Sequence, residues 1–267
     1  MSDMRGDLMK DFSAIDNHCH YVKRDGYLEE MLERSAEAGV EWLCLNGGGE
    51  RWRQHGNDGV MAAAEAHPDR IIPVAFIHLG EEGAADVRAW HAAGFRALKT
   101  QYPADMYDAE AFFPVYEAAE ELRMPILFHT GISARFIPEH DRWNVSSRYM
   151  MPLTLDRIAR CFPDLTIWGA HLGYPDTWHA ASLMRVHPGV YFDICGLPTS
   201  QPSLQPWSEL FRTEEHWGKL VFGSEGGPAG FAPLLERYRA LMDEHGVSAE
   251  VQRRVLRGNV AEALGIR

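Results

Sequence analysis

Eight short segments of the chain are nearly continuous in apolar residues rather than cleanly alternating. They are Ala14–His20 (AIDNHCH), 42–46 (WLCLN), 71–78 (IIPVAFIH), 95–100 (FRALKT), 125–130 (PILFHT), 165–171 (LTIWGAH), 190–196 (VYFDICG) and 220–225 (LVFGSE). Such runs suit parallel strands covered on both faces. Between them the apolar positions recur at helical spacing, over Tyr27–Ala38, 58–67, 83–93, 108–122, 152–161, 176–187 and 204–216, with 231–245 and 249–264 closing the chain. The first helix runs into Gly39, a natural stop because glycine reaches the left-handed conformation without a steric penalty. Strand then helix, eight times over, predicts an α/β protein built as a single (β/α)8 TIM barrel. A doubly wound open sheet is the alternative. It usually has fewer strands, and no GxGxxG loop follows the first strand here. No linker rich in Pro, Gly or Ser divides the chain, so residues 1–267 read as one domain. The longest irregular stretch, 133–149, follows the fifth strand and reads equally as a lid or as an ordered loop.

Composition narrows the function classes. With 46% hydrophobic and 24% charged residues the chain has the makings of an ordinary core. The net charge of −12, from 26 Lys and Arg against 38 Asp and Glu, excludes the basic surface that phosphate backbones need, so no nucleic-acid partner is expected. The longest apolar stretch, near 71–79, is far below the ~18 residues of a membrane span, so no membrane partner is expected either. Residues 1–10 are polar and offer no signal-peptide core, and Cys19, Cys44, Cys161 and Cys195 form no CxxC pair. Reduced thiols and a cytoplasmic location are the simplest expectation.

In a barrel of this type the chemistry sits at the carboxyl ends of the strands. Strand one ends in Asp16, Asn17, His18, Cys19 and His20. Strand four ends near Lys99, five at His129, six at His171, seven near Asp193 and eight at Glu225. His18 and His20 are two apart and share one face of a strand, where paired imidazoles make poor core but good metal ligands. An isolated HxH is weak evidence; its coincidence with His129 and His171 at other strand ends makes it a site. Cys19 points to the opposite face and reads as core. Gly47, Gly48 and Gly49 read as a tight loop, because no phosphate-binding context surrounds them. Arg51, Arg135 and Trp143 fall on rim loops and read as surface positions within reach of a substrate.

The segments DNHCH after strand one, PILFHTG at strand five, FPDLTIWGAHLG at strand six, VFGSEGG at strand eight and the terminal GNVAEALGI together resemble the amidohydrolase superfamily, over about residues 12 to 265. The nearest likeness is to its amidohydrolase-related group of metal-dependent hydrolases and non-oxidative decarboxylases. The resemblance implies that His18, His20 and His129 bind a metal. It implies that Glu225 is the last ligand and the proton acceptor, and that His171 polarises the substrate or shuttles a proton. It also places Lys99 loosely where binuclear members carry a carbamylated lysine. The family usually has Asp where Glu225 stands. The extra methylene moves the carboxylate outward by roughly 1.5 Å, enough to matter to catalysis.

The residue chemistry runs parallel to that likeness. Neutral imidazoles and a carboxylate suit Zn²⁺, with Mn²⁺ or Fe²⁺ as alternatives. A bound cation lowers the pKa of its water to near 7, and a neighbouring carboxylate can take the proton. Lys99 and Arg135 are the candidates for holding a substrate carboxylate, and Lys99 reads equally as a lysine snorkelling at the rim. Asp16 is expected to support the HxH pair from behind, and Asp193 either to do the same or to face solvent. The expected activity is hydrolysis of a C–N or C–O bond in a small, carboxylate-bearing amide, lactam or lactone. Non-oxidative decarboxylation of an aromatic or unsaturated acid is the alternative. A catalytically silent ligand-binding barrel is the third reading, favoured only by Glu225. Homo-oligomerisation is left open.

Overall fold

In the computed structural model, which describes residues 13–133, 146–196, 207–225 and 227–266, seven parallel strands run in chain order around a single sheet. They are β1 (Ala14–His20), β2 (Val40–Asn46), β3 (Ile71–Ile77), β4 (Ala97–Thr100), β5 (Ile126–Phe128), β6 (Ile167–Gly169) and β7 (Val190–Phe192). The expected eighth strand is not a regular one, but its backbone closes the ring. The Val221 N–H donates to the Phe192 carbonyl on one side; on the other the Asn17 N–H donates to Phe222 and the Glu225 N–H to His18. The chain therefore forms a TIM barrel whose last stave is held by backbone bonds at its two edges.

Helices α1 (Tyr27–Ala38), α2 (Asn57–Ala66), α3 (Ala84–Ala93), α4 (Phe113–Glu121), α5 (Thr154–Cys161) and α6 (Thr177–Val186) follow the first six strands in order. Helix α1 buries Tyr27, Met31 and Ser35, one face at four-residue spacing. It stops at Gly39, whose φ of 79° lets its N–H reach back to the Ala36 and Ser35 carbonyls. Two helical expectations need correction. Within 204–216 the described residues form two four-residue pieces, α7 (Trp207–Leu210) and α8 (Glu214–Trp217), parted where Thr213 caps the second. The last predicted helix is instead α10 (Ala249–Arg253), a wide π turn (Arg254–Gly258) and α11 (Asn259–Leu264), after α9 (Phe231–Glu244). In that wide turn the Val255 carbonyl accepts from the Phe222 N–H, so the helix distortion coincides with closure of the barrel.

Two apolar layers result. Ile15, Cys44, Val74, Leu127, Trp168 and Val221 pack inside the barrel, and a larger layer lies between the strands and the helices. Side-chain alternation along a strand then fixes which residues rise above the inner layer. Two residues beyond inward Ala97, Leu127 and Val221 come Lys99, His129 and Gly223, and Glu225 follows two further on. All four cysteines are free. No helix of the described residues is long and apolar enough to cross a membrane. Arg135, Trp143 and most of the irregular stretch after β5 lie outside the described residues.

Candidate active site

The HxH segment is presented by an irregularity in β1. Asp16 pairs with Leu43 and Cys19 with Leu45, so three steps on β1 match two on β2. This bulge re-aims the strand at its carboxyl end. Asp16 stabilises it by accepting the His18 N–H at 2.9 Å and the Ser224 N–H at 3.0 Å. Asp16 thus supports His18 through the backbone rather than through the ring. The ring partner is Asp193, which is fully buried and does not face solvent. Its Oδ2 lies 2.9 Å from His18 Nδ1, while Oδ1 accepts the His171 N–H at 2.8 Å and the Cys195 N–H at 3.2 Å. Cys19 is buried in the outer layer, as its place on the strand requires.

Each imidazole has its tautomer set by a neighbour. Carboxylate Asp193 can only accept, so His18 donates Nδ1–H to it and keeps its lone pair on Nε2. Asn46 donates its amide to the Cys19 carbonyl at 2.8 Å, so its oxygen faces His20 Nδ1 at 2.9 Å and puts the His20 lone pair on Nε2. His171 donates Nδ1–H to the Cys195 carbonyl at 3.0 Å, and its Nε2 accepts from His129 Nδ1 at 3.2 Å. That leaves the lone pair of His129 on Nε2, a buried atom with no hydrogen-bond partner. His18, His20 and His129 therefore all carry their lone pair on Nε2, a nitrogen through which an imidazole can bind a metal.

The electrostatics agree. Burial holds His18 well below the usual imidazole range, reinforced by Lys99 and His171. Burial does the same to His129, with His171 and Lys99 adding to it. Both rings are neutral near pH 7, the form that ligates. Lys99 is fully buried, and its ammonium reaches His18 Nε2 at 3.2 Å, where it serves as the site's internal cation. Burial pulls its pKa down to about 8 against the pull of Asp193 and Glu225.

His18, His20 and Glu225 bring one candidate ligand atom each to within 4.8 Å of one another. His129 is not part of that trio but joins it through His171, whose ring centroid lies 4.7 Å from that of His129 and 5.5 Å from that of His18. Glu225 Oε1 lies 3.5 Å from His171 Nε2. Both residues sit in the left-handed backbone region, with φ of 51° and 59°, which costs about 1–3 kcal/mol each. Glycine makes room beside them. A Cβ on Gly196 would stand 2.8 Å from Glu225 Oε2 and 3.0 Å from His171 Nδ1. This donor set fits a divalent ion: three neutral imidazoles with lone pairs set, one of them unpartnered, and a half-exposed carboxylate beside them.

A cavity of about 460 Å³ opens over this cluster. His20, His129 and Glu225 line it together with the aromatic Trp52 and Phe76 and the polar Gln54, Gln101 and Ser133. Lys99 lies beneath the cavity and is not among the residues lining it. Arg51 is an exposed residue paired with Glu81. A larger hollow of about 670 Å³ lies around Met124, Thr166 and Asn259, by the amino-terminal ends of β5 and β6 and away from the histidines. Asn46, Gln54 and Gln101 carry no motif in the sequence. The signal that finds Asn46 and Gln101 is position alone, since they end or follow β2 and β4 on the functional rim.

No curated protein matches the sequence. Solved structures share the fold. An uncharacterized TIM-barrel protein from Bordetella bronchiseptica has a TM-score of 0.70 at 21% identity, over 98% of this chain and 90% of that one. A probable 2-pyrone-4,6-dicarboxylic acid hydrolase from Acinetobacter baumannii gives 0.67 at 14% identity, over 96% and 100%. A 5-carboxyvanillate decarboxylase from Novosphingobium aromaticivorans, with manganese bound, gives 0.64 at 14% identity, over 96% and 98%. The amidohydrolase family model matches residues 15–266, which is nearly the whole sequence, and the chain belongs to that family.

Proposed function

We propose that this barrel is a metal-dependent hydrolase that cleaves a C–N or C–O bond in a small molecule, an amide, lactam or lactone. The observation that carries this reading is the contact between Glu225 and His171 beside His18 and His20. His18, His20, His129 and Glu225 would hold the divalent ion, with Zn²⁺ favoured by the imidazole-rich set and Mn²⁺ or Fe²⁺ as alternatives. When bound, such an ion supplies Lewis acidity, lowering the pKa of water and polarising a carbonyl. Glu225, at the cavity wall, takes the proton of the attacking water. The water oxygen bonds to the carbonyl carbon and the bond to nitrogen or oxygen breaks. Glu225 passes that proton to the leaving atom, and His171, 3.5 Å away, assists by polarising the substrate. The products are an acid and an amine or alcohol. Lys99, fixed under His18 and out of contact with the cavity, adds positive charge beneath the site that steadies the developing negative charge.

The aromatic wall of Trp52 and Phe76 favours a second reading, non-oxidative decarboxylation of an aromatic or unsaturated acid on the same residues. Elemental analysis of the purified protein and of His18→Ala tests the shared part. Metal should be present in the first and reduced in the second; equal content refutes the ligand set. A panel of lactones, amides and hydroxybenzoates then separates the two chemistries. Acid release with water consumed supports hydrolysis, and CO₂ release without it supports the second reading.

A further inference from the structure

His18 offers one ring lone pair, and two cations have a claim on it. Its Nδ1–H is committed to Asp193 at 2.9 Å, so Nε2 is the ring atom left to ligate. That same atom accepts from Lys99 Nζ at 3.2 Å. Both residues are fully buried, so solvent relieves neither. A lone pair turned toward a lysine hydrogen is closed to a metal, because both partners need the same orbital. The tie is also a loose one. A lysine ammonium has three hydrogens to donate, and the bond to His18 is the single hydrogen bond of Lys99 among the described residues.

The surrounding charges decide which form of this lysine belongs there. Asp193 and Glu225 are the carboxylates whose charge reaches it. They favour a cation on the side chain and disfavour the carbamate anion that a bridging role would need. His18 and His129 are neutral, so Lys99 carries positive charge toward those two carboxylates. A divalent ion beside His18, His20 and Glu225 would bring two more positive charges to the same place. The ammonium is then left facing a like charge at short range in a buried site, where such repulsion is strong. We propose that Lys99 is a placeholder for the metal, occupying the His18 lone pair in the ion's stead and yielding it on metal entry. The ion is therefore bound more weakly than its ligands alone would allow, and occupancy follows the supply of divalent cation. This rests on the histidine cluster being a metal centre, and adds to it the residue that sets its affinity.

The test is competition between the full-length protein, first stripped of metal, and a chromophoric chelator for Zn²⁺ and for Mn²⁺. Lys99→Met keeps the stem and removes the charge, and should bind each ion about tenfold tighter than wild type or better. Lys99→Gln removes the charge but keeps a donor for Nε2, and should bind roughly threefold tighter or better. The same order should appear as a larger metal-induced rise in thermal midpoint. That reading compares each variant with itself, so a variant of lower basal stability still reports. A second readout uses no metal. In the ¹⁵N spectrum of the stripped protein, the His18 Nε2 signal should move downfield in Lys99→Met, as an acceptor nitrogen does when its hydrogen bond is removed. Weaker binding in Lys99→Met places the lysine among the groups that hold the ion. Equal binding shows that the two cations do not compete, and an unmoved His18 signal shows that there is no bond to yield. Each of these overturns the proposal and leaves the metal centre standing. Failure of the metal-centre reading shows differently: neither wild type nor variants then bind either ion, and the proposal falls with it.

Discussion

Asp193 accepts from the His18 ring, the His171 backbone and the Cys195 backbone, and so couples two histidines from opposite parts of the chain. Asp193→Asn keeps the size but removes the charge that favours the Nδ1–H tautomer of His18. Loss of such an outer partner typically costs 10–100-fold in metal affinity. Chelator competition should show a drop of that order, with the fold retained; unchanged affinity would remove Asp193 from the site's support. Gly223 is a second residue that the site requires to be small. A Cβ there would stand 2.7 Å from Asn17 Oδ1, 3.0 Å from Asp193 Oδ2 and 3.0 Å from His18 Cβ. Gly223→Ala should therefore lose about 1–3 kcal/mol in chemical denaturation and lower metal content with it. At Gly227 the nearest atom to a Cβ is Tyr27 Oη at 3.7 Å, so Gly227→Ala should stay within about 0.5 kcal/mol.

At the level of elements, α5 is tied to the end of α6 by charge. Asp156 accepts from Arg160 one turn later, at 2.9 and 3.1 Å, and from His187 just past α6, at 2.7 Å. The Arg160 hydrogen bonds, then that of His187, hold the Asp156 carboxyl below the usual carboxylate range. A carboxylate whose native pKa is depressed adds stability above its unfolded value near 3.8, and loses it as pH falls through the lower native value. With about a third of the Asp156 side chain exposed, the contribution is screened and stays below about 1 kcal/mol. Asp156→Asn should flatten the acid-denaturation curve below about pH 4 and leave the slope above pH 5 unchanged. A curve as steep as the wild type below pH 4 would show that the tie adds nothing. The rest of this layer was readable locally. The face of α1 and its stop at Gly39 follow from spacing and from one glycine, whereas the break inside 204–216 and the π turn do not. Short helices take their limits from what they pack against.

The whole molecule depends on closing a ring whose last stave has little strand of its own. Tyr238, on α9, donates its hydroxyl to the Val221 carbonyl at 3.1 Å and receives the Ile194 N–H at 2.8 Å, clasping the last stave to the segment that follows β7. Tyr238→Phe leaves both buried backbone groups without that partner. It should cost about 1–3 kcal/mol by thermal or urea unfolding; a change below 0.5 kcal/mol would show that another group fills the clasp. The barrel, the HxH pair and the strand-end placement of His129, His171, Lys99 and Glu225 were legible in the sequence, because strand alternation and the strand–helix repeat are local patterns. Which nitrogen of each ring carries the lone pair was not legible. His18 meets Asp193 across 175 positions and His129 meets His171 across 42, pairings that exist only once the ring closes. The expected support from Asp16 reached the backbone instead, because the bulge turned its carboxylate toward amide hydrogens. The sequence by itself placed the chemistry on one rim, since side-chain period and strand order require only near neighbours. Only the tertiary structure decided how that chemistry is wired, since hydrogen-bond partners are chosen by proximity in space.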